Sequence, residues 1–192
     1  MGIKFGTDGW RAVLAKDFTE ENVKRVTLAI GKYVADNFGW DKPILIGYDP
    51  RKMADEYSLE CAEILKDKGF TVFYSSRIVP TPVLAYNALI KNACAIMFTA
   101  SHNPPEYLGM KFIPDYAGPA TKEITDEIVA NLDIDYPKSD KSGALHKIDF
   151  APKYYEHLGT LIDIKSLAKL NTNIIFDGLY SASIGYFDEI LK

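Results

Sequence analysis

"ACAIMFTASHNPPEYLGMKF", residues 93–112, divides into an apolar run, a proline-bounded loop and a second short apolar run. Ala93 to Phe98 has the continuous apolar character of a strand covered on both faces. "GMKFI" (Gly109 to Ile113) reads as a further short strand. Between the runs, Ser101 and His102 stand side by side, and Asn103, Pro104 and Pro105 force a turn whose prolines limit backbone freedom.

The same alternation continues upstream. Thr19 is a plausible N-cap followed by Glu20 and Glu21, and apolar residues recur at Val23, Val26, Ile30, Tyr33, Val34 and Phe38, a helical period that closes near Gly39. "PILIGYD" (Pro43 to Asp49) and "FTVFYS" (Phe70 to Ser75) read as strands, with a helix over Glu56 to Lys68 between them and Gly69 as its C-cap. Thr81 and Pro82 fit an N-cap and a first-turn proline for the helix "TPVLAYNALIKN". Downstream, "TKEITDEIVANL" reads as a helix with an acidic face. Strands alternating with helices predict an α/β fold with a mixed, largely parallel sheet between helices.

Residues 1–136 are expected to form this first domain and residues 137–147 a polar linker containing Gly143. Residues 148–192 hold a helix pattern ("FAPKYYEHLGTLI"), one strand pattern at Asn173 to Phe176 and a helix pattern ("SIGYFDEILK"). One strand cannot satisfy its own backbone groups, so the expectation is a fragment carrying the truncated start of a second α/β domain. That orphan strand would seek a partner, with dimerisation or swapping through residues 148–192.

The 192 residues are 47% hydrophobic and 25% charged, an ordinary globular composition. A net charge of −4 without a Lys/Arg cluster argues against a nucleic-acid surface. No apolar run is long enough to span a membrane, and "MGIKFGTDGW" lacks the layout of a secretory signal, so the expected compartment is the cytoplasm. Cys61 and Cys94 have no metal-ligand spacing and read as buried, reduced thiols. Nucleotide-loop, zinc-protease and hydrolase-elbow motifs are absent from the sequence.

Ligands of open α/β sheets bind beyond the carboxyl ends of the strands, which singles out Asp49 to Arg51, Ser75 to Arg77, Ser101 to Asn103, and Asp177 to Gly178. Two readings of Ser101 stand at this point: a hydroxyl held for nucleophilic or phosphoryl chemistry, and a turn residue making local hydrogen bonds. Adjacent Ser101 and His102 are not a triad, since no third group or oxyanion donor is legible. Arg11, in "GTDGWRA", either meets an anion beside exposed backbone N–H groups or lies on a hairpin surface. Arg51 either clamps a phosphate bidentately or pairs with Asp49. Lys111 alternates with Met110 and Phe112, so it points toward the loop or into water. His146, His157 and the Asp133/Asp135 pair read as solvated.

Taken in order, "FGTDGWRA" (Phe5 to Ala12), "GYDPR" (Gly47 to Arg51), "PTP" (Pro80 to Pro82) and "TASHNPPEYLGMKF" (Thr99 to Phe112) resemble the N-terminal portion of the α-D-phosphohexomutases. This family comprises phosphoglucomutases, phosphomannomutases and phosphoglucosamine mutases. The resemblance implies a phosphoserine at Ser101 that donates its phosphoryl group to a hexose phosphate and recovers one from a bisphosphorylated intermediate, interconverting hexose 1- and 6-phosphates. It also implies Mg²⁺ on a phosphate oxygen of Ser101 and an activator of the glucose 1,6-bisphosphate type. His102, Lys111 and Arg11 would surround the phosphate, Lys111 in proton transfer, with Arg51 and Asn103 on phosphate or substrate. Phosphoryl transfer needs alignment and neutralisation of equatorial charge, which a cation, Arg11 and Lys111 together would supply.

Two positions depart from the family pattern. Leu108 stands where asparagine is common, removing a polar group expected beside the serine, and "DGLYSAS" replaces a small Gly-rich turn. The family's aspartate-rich metal loop, sugar-recognition loop and phosphate-binding domain are expected beyond this sequence, which implies an isolated chain without turnover. The alternative is a non-catalytic sugar-phosphate-binding or scaffold protein that keeps the mutase domain.

Overall fold

The computed structural model describes residues 2–6, 9–136, 138–167, 169 and 172–191. Thr7, Asp8, Pro137 and Lys192, which fall in the stretches read above, lie outside the described residues. The elements run β1 (Gly9–Val13), α1 (Glu20–Phe38), β2 (Ile44–Tyr48), α2 (Ala54–Lys68), β3 (Thr71–Ser75), α3 (Thr81–Ile90), β4 (Cys94–Phe98), β5 (Tyr107–Ile113), α4 (Lys122–Ala130), β6 (Ala144–Ile148), α5 (Ala151–Leu161), α6 (Ile164–Leu167) and α7 (Phe187–Ile190).

Local chemistry sets the helix boundaries. The Thr19 hydroxyl accepts the Asn22 N–H at 3.3 Å, and Gly39, at φ 79°, closes α1 by donating to the Ala35 carbonyl. Helix α2 ends at Gly69 (φ 110°) and begins at Ala54, two residues before the expected start. In α3 it is Pro80, with its extended backbone, that caps the helix, and Thr81 lies one position inside.

The strands form a six-stranded sheet in the order β1-β5-β4-β2-β3-β6. The four strands β4, β2, β3 and β6 are parallel, while β5 runs antiparallel to both β4 and β1. Side-chain alternation divides the core between the sheet's two faces. Ile44, Ile46, Val72, Ile96, Phe98, Met110 and Phe112 join α1, α2 and α4 in the larger cluster. Leu45, Ala95, Met97 and Ile113 join α3 and α5 in the smaller one. Cys61 and Cys94 are buried free thiols, pushed up to about 12 chiefly by desolvation, and have no chemistry to offer near neutral pH.

Three expectations need correction. Residues 144–147 are not linker: they belong to β6, which pairs with β3 from Thr71↔Ala144 to Ser75↔Ile148. As an edge strand it is bonded along one side only, so its sequence "ALHKI" lacks the apolar signature of the inner strands. Asn173 to Phe176 form no strand, and Ile175 is 94% exposed. Finally, Leu108 is fully buried on the α1/α2 face, in register with Ala12, so it removes nothing polar from the serine's surroundings.

Gly109 marks where three strands crowd together. A Cβ there would meet the Trp10 carbonyl oxygen at 2.6 Å and the Thr99 carbonyl oxygen at 2.8 Å, and neither backbone can yield without disturbing the ladder. Gly109→Ala should therefore cost about 1–3 kcal/mol as an overpacking change, read from urea unfolding midpoints. An unchanged midpoint would show that the β1/β5/β4 junction is looser than this geometry.

Candidate functional site

The sheet's connections place the site. From β2 the chain leaves through α2 to β3 on one side; from β4 it leaves to β5 on the other. The carboxyl ends of β2 and β4 are thus a switch point, where diverging chains open a crevice. Asp49 donates its backbone N–H to the Phe98 carbonyl at 3.0 Å, which locks the exits of the two strands together.

Ser101 lies three residues past β4, exposed, with φ 54°. A non-glycine residue in this left-handed region needs support from its surroundings. Its N–H donates to Thr99 Oγ1 at 3.0 Å, and its Oγ stands 3.4 Å from His102 Nδ1. Two turns follow, closed by Asn103 N–H to the Ala100 carbonyl and by Tyr107 N–H to the Pro104 carbonyl, each at 3.0 Å. Where the loop returns to the sheet, Thr99 N–H bonds the Gly109 carbonyl at 3.0 Å.

Of the two alternatives for Arg51, pairing with Asp49 is realised, with Nε 3.6 Å from Asp49 Oδ2. The rest of the guanidinium is turned to the serine loop. Nη1 donates to the carbonyls of Pro104 (2.9 Å) and Tyr107 (3.0 Å), and Nη2 to those of Ser101 (2.9 Å) and Asn103 (2.7 Å). Arg11 reaches the loop from β1, its Nη1 donating to Asn103 Oδ1 at 3.1 Å. Lys111 sits opposite Gly9 and Met97 in the ladders, on the sheet face that Met97 presents to the crevice. The structure thus brings Ser101, His102, Asn103, Arg51 and Arg11 into one hydrogen-bonded neighbourhood, and sets Lys111 on the adjoining sheet surface.

The crevice has a volume of about 660 Å³ and is lined by residues after β2 (Asp49 to Lys52), by Pro80, Thr81 and Pro82 at the head of α3, and by Met97, Thr99, Ser101, Asn103 and Pro105. Its last wall, Tyr180 to Ser183, comes from the "DGLYSAS" segment, just beyond the strand-end candidates Asp177 and Gly178. Arg77 holds that wall nearby: Nη1 donates to the Gly185 carbonyl at 3.0 Å, the guanidinium lies over the Tyr186 ring at 4.4 Å, and the Tyr186 hydroxyl donates to the Ile78 carbonyl. Thr99 is a further site residue, and its signal in the sequence is a hydroxyl two residues before a loop serine, the spacing of such a turn bond. His146 stacks on Phe73, His157 stacks on Tyr86, and Asp133 is spent on Arg25.

Asp49 is the half-buried carboxyl under this assembly. Desolvation raises it above the ordinary 3.8, opposed by hydrogen bonds from Thr99 and the Arg51 backbone and by the Arg51 charge. The folded chain therefore keeps a proton on Asp49 to higher pH than the unfolded chain does, and stability falls as pH rises from 3.8 through the raised value. Asp49→Asn should flatten that decline in urea midpoints measured between about pH 3.5 and 7; parallel profiles for the two proteins would contradict it.

The family model for phosphoglucomutase/phosphomannomutase, alpha/beta/alpha domain I, matches residues 2–137. A phosphoglucosamine mutase of Caldicellulosiruptor bescii is 30% identical over the whole of this chain and 43% of its own length. A phosphoglucomutase of Komagataeibacter xylinus is 26% identical over 98% of this chain and 38% of its own. The chain thus spans about two-fifths of the length of these curated relatives. A solved structure from Thermus thermophilus, assigned as a phosphomannomutase, superposes over 88% of this chain and 38% of that one with a TM-score of 0.78 at 32% identity. The Paramecium phosphoprotein pp63/parafusin shares the fold over 98% of this chain and 41% of its own, with a TM-score of 0.84 at 18% identity. With its serine loop at the sheet's switch point and a family model covering most of its length, the chain belongs to the phosphoglucomutase/phosphomannomutase family, whose first α/β/α domain it contains.

Proposed function

We propose that this chain is the phosphoryl-carrying part of a phosphohexomutase, with Ser101 as the residue that is phosphorylated and dephosphorylated in each cycle. The observation that carries the reading is the exposed Ser101 hydroxyl at the mouth of a 660 Å³ crevice, on a loop tied to two arginines. In the forward half-reaction a hydroxyl oxygen of a hexose monophosphate attacks phosphorus. The new P–O bond forms as the P–Oγ bond to Ser101 breaks, and the sugar hydroxyl gives up its proton. Return transfer from the bisphosphorylated sugar to Ser101 completes the interconversion of 1- and 6-phosphates.

Lys111, on the sheet surface beside the loop, is proposed as the acceptor of that proton. Arg11, held over the loop through Asn103, supplies positive charge beside the phosphoryl group, and His102 stands next to the leaving oxygen. The 1- and 6-phosphates of a hexose are the proposed substrates, with a glucose 1,6-bisphosphate-type donor to charge the serine, in the cytoplasm. Among the described residues no helix is long and apolar enough to cross a membrane.

The family also leads us to propose Mg²⁺ on the phosphoserine. The described residues contain no group of three or more His, Cys, Asp or Glu that would hold a metal, and Asp49 is committed to Thr99 and Arg51. These residues do not make a magnesium site by themselves, and the steps above use the chain's own groups. For the same reason we propose that the chain alone carries phosphate without turning over.

Incubation with glucose 1,6-bisphosphate should add one phosphoryl group on Ser101, seen by intact mass and peptide mapping and absent in Ser101→Ala. No uptake, or uptake at another residue, would overturn the assignment. Hexose 1-phosphate conversion by the chain that disappears in Ser101→Ala would overturn the claim that it lacks turnover.

A further inference from the structure

We infer that Arg51 is a positioning residue, whose guanidinium fixes the aim of Ser101 and is not a ligand for the substrate phosphate; this deepens, and rests on, the assignment of Ser101 as the phosphoryl carrier. Four carbonyl oxygens, of Ser101, Asn103, Pro104 and Tyr107, converge on its two terminal nitrogens at 2.7–3.0 Å. Converging carbonyls carry like partial charges and repel one another, so this loop shape requires a cation at its centre. The two Nη atoms offer four N–H donors in a fixed plane, and four acceptors are present.

The remaining edge of the guanidinium faces Asp49, and the Arg51 backbone N–H donates to Asp49 Oδ1 at 3.0 Å, so side chain and main chain are held by one carboxyl. The Arg51 and Asp49 side chains are only 15% and 13% exposed. This arginine therefore meets the crevice with its donors already committed, whereas a phosphate clamp presents a free pair of them to solvent. Because the acceptor nearest the nucleophile is the Ser101 carbonyl itself, loss of the brace shifts the serine's own backbone, which is already in the left-handed region. Lysine brings three donors from a single point and cannot span acceptors distributed along the loop from Ser101 to Tyr107.

The test compares the wild-type chain with Arg51→Lys and Arg51→Ala at several concentrations of glucose 1,6-bisphosphate, following Ser101 phosphorylation by intact mass and loop mobility by amide hydrogen exchange. The expected result is a fall on the order of 100-fold in the maximal rate of phosphorylation, with half-saturation by the donor within about threefold of wild type. Exchange should accelerate at Asn103, Tyr107 and Thr99 in both variants while amides of β2 and β4 keep their protection. A rise in half-saturation with an unchanged maximal rate would make Arg51 a phosphate ligand and overturn the inference. So would unchanged exchange in the loop of either variant. If wild type takes up no phosphate, the function assignment fails, and hydrogen exchange alone decides whether Arg51 holds the loop. Arg51→Lys keeps the charge and is the variant read if Arg51→Ala does not fold.

Discussion

Two parallel strands lie side by side, and the chain leaving each of them turns away from the other. That divergence at the ends of β2 and β4 is the constraint on which the rest of the molecule depends, because it leaves a crevice that no strand exit can fill. The bond from Asp49 to the Phe98 carbonyl pins the two exits at a fixed separation. Everything chemical then follows by short connections: Arg51 is two residues beyond Asp49, Thr99 one residue beyond β4, and Ser101 two residues after that. β5 folds back against β4 and brings β1 with it, which carries Arg11 to within hydrogen-bond reach of Asn103.

The cost of this arrangement is concentrated in a few groups. A carboxyl is half-buried under the crevice, a serine is held at positive φ, and four carbonyl oxygens face one another. Each is offset by a partner from the other strand's exit. Arg51 bridges both exits, bonded to Asp49 on one side and to the serine loop on the other. The strain is therefore shared between two segments of chain, and neither exit can relax without releasing its neighbour.

Much of this is legible in the residues. The Thr19 cap, the period of α1, the glycines that end α1 and α2, and the apolar runs of β2, β3 and β4 all express local rules, and the structure follows them. What local rules do not encode is pairing. The strand "ALHKI" reads as linker because an edge position asks for no apolar face, while "NIIF" reads as a strand because its residues suit one, although no strand among the described residues pairs with it. The site divides in the same way. Ser101 stands out from its place after a buried run, but whether Arg51 faces a ligand or a loop depends on where a segment about fifty residues away returns. Leu108 likewise reads as a lesion in the loop until strand parity places it in the opposite core.

The backbone setting of Ser101 also restricts the chemical alphabet at that position. Threonine carries the same nucleophilic hydroxyl and would serve phosphoryl chemistry equally well. Its branched Cβ, however, clashes with the backbone in the left-handed region, where Ser101 sits at φ 54°. Of the two aliphatic alcohols among the side chains, only the unbranched one can present its oxygen from this turn, so the identity of the nucleophile is decided by backbone sterics before any question of reactivity arises.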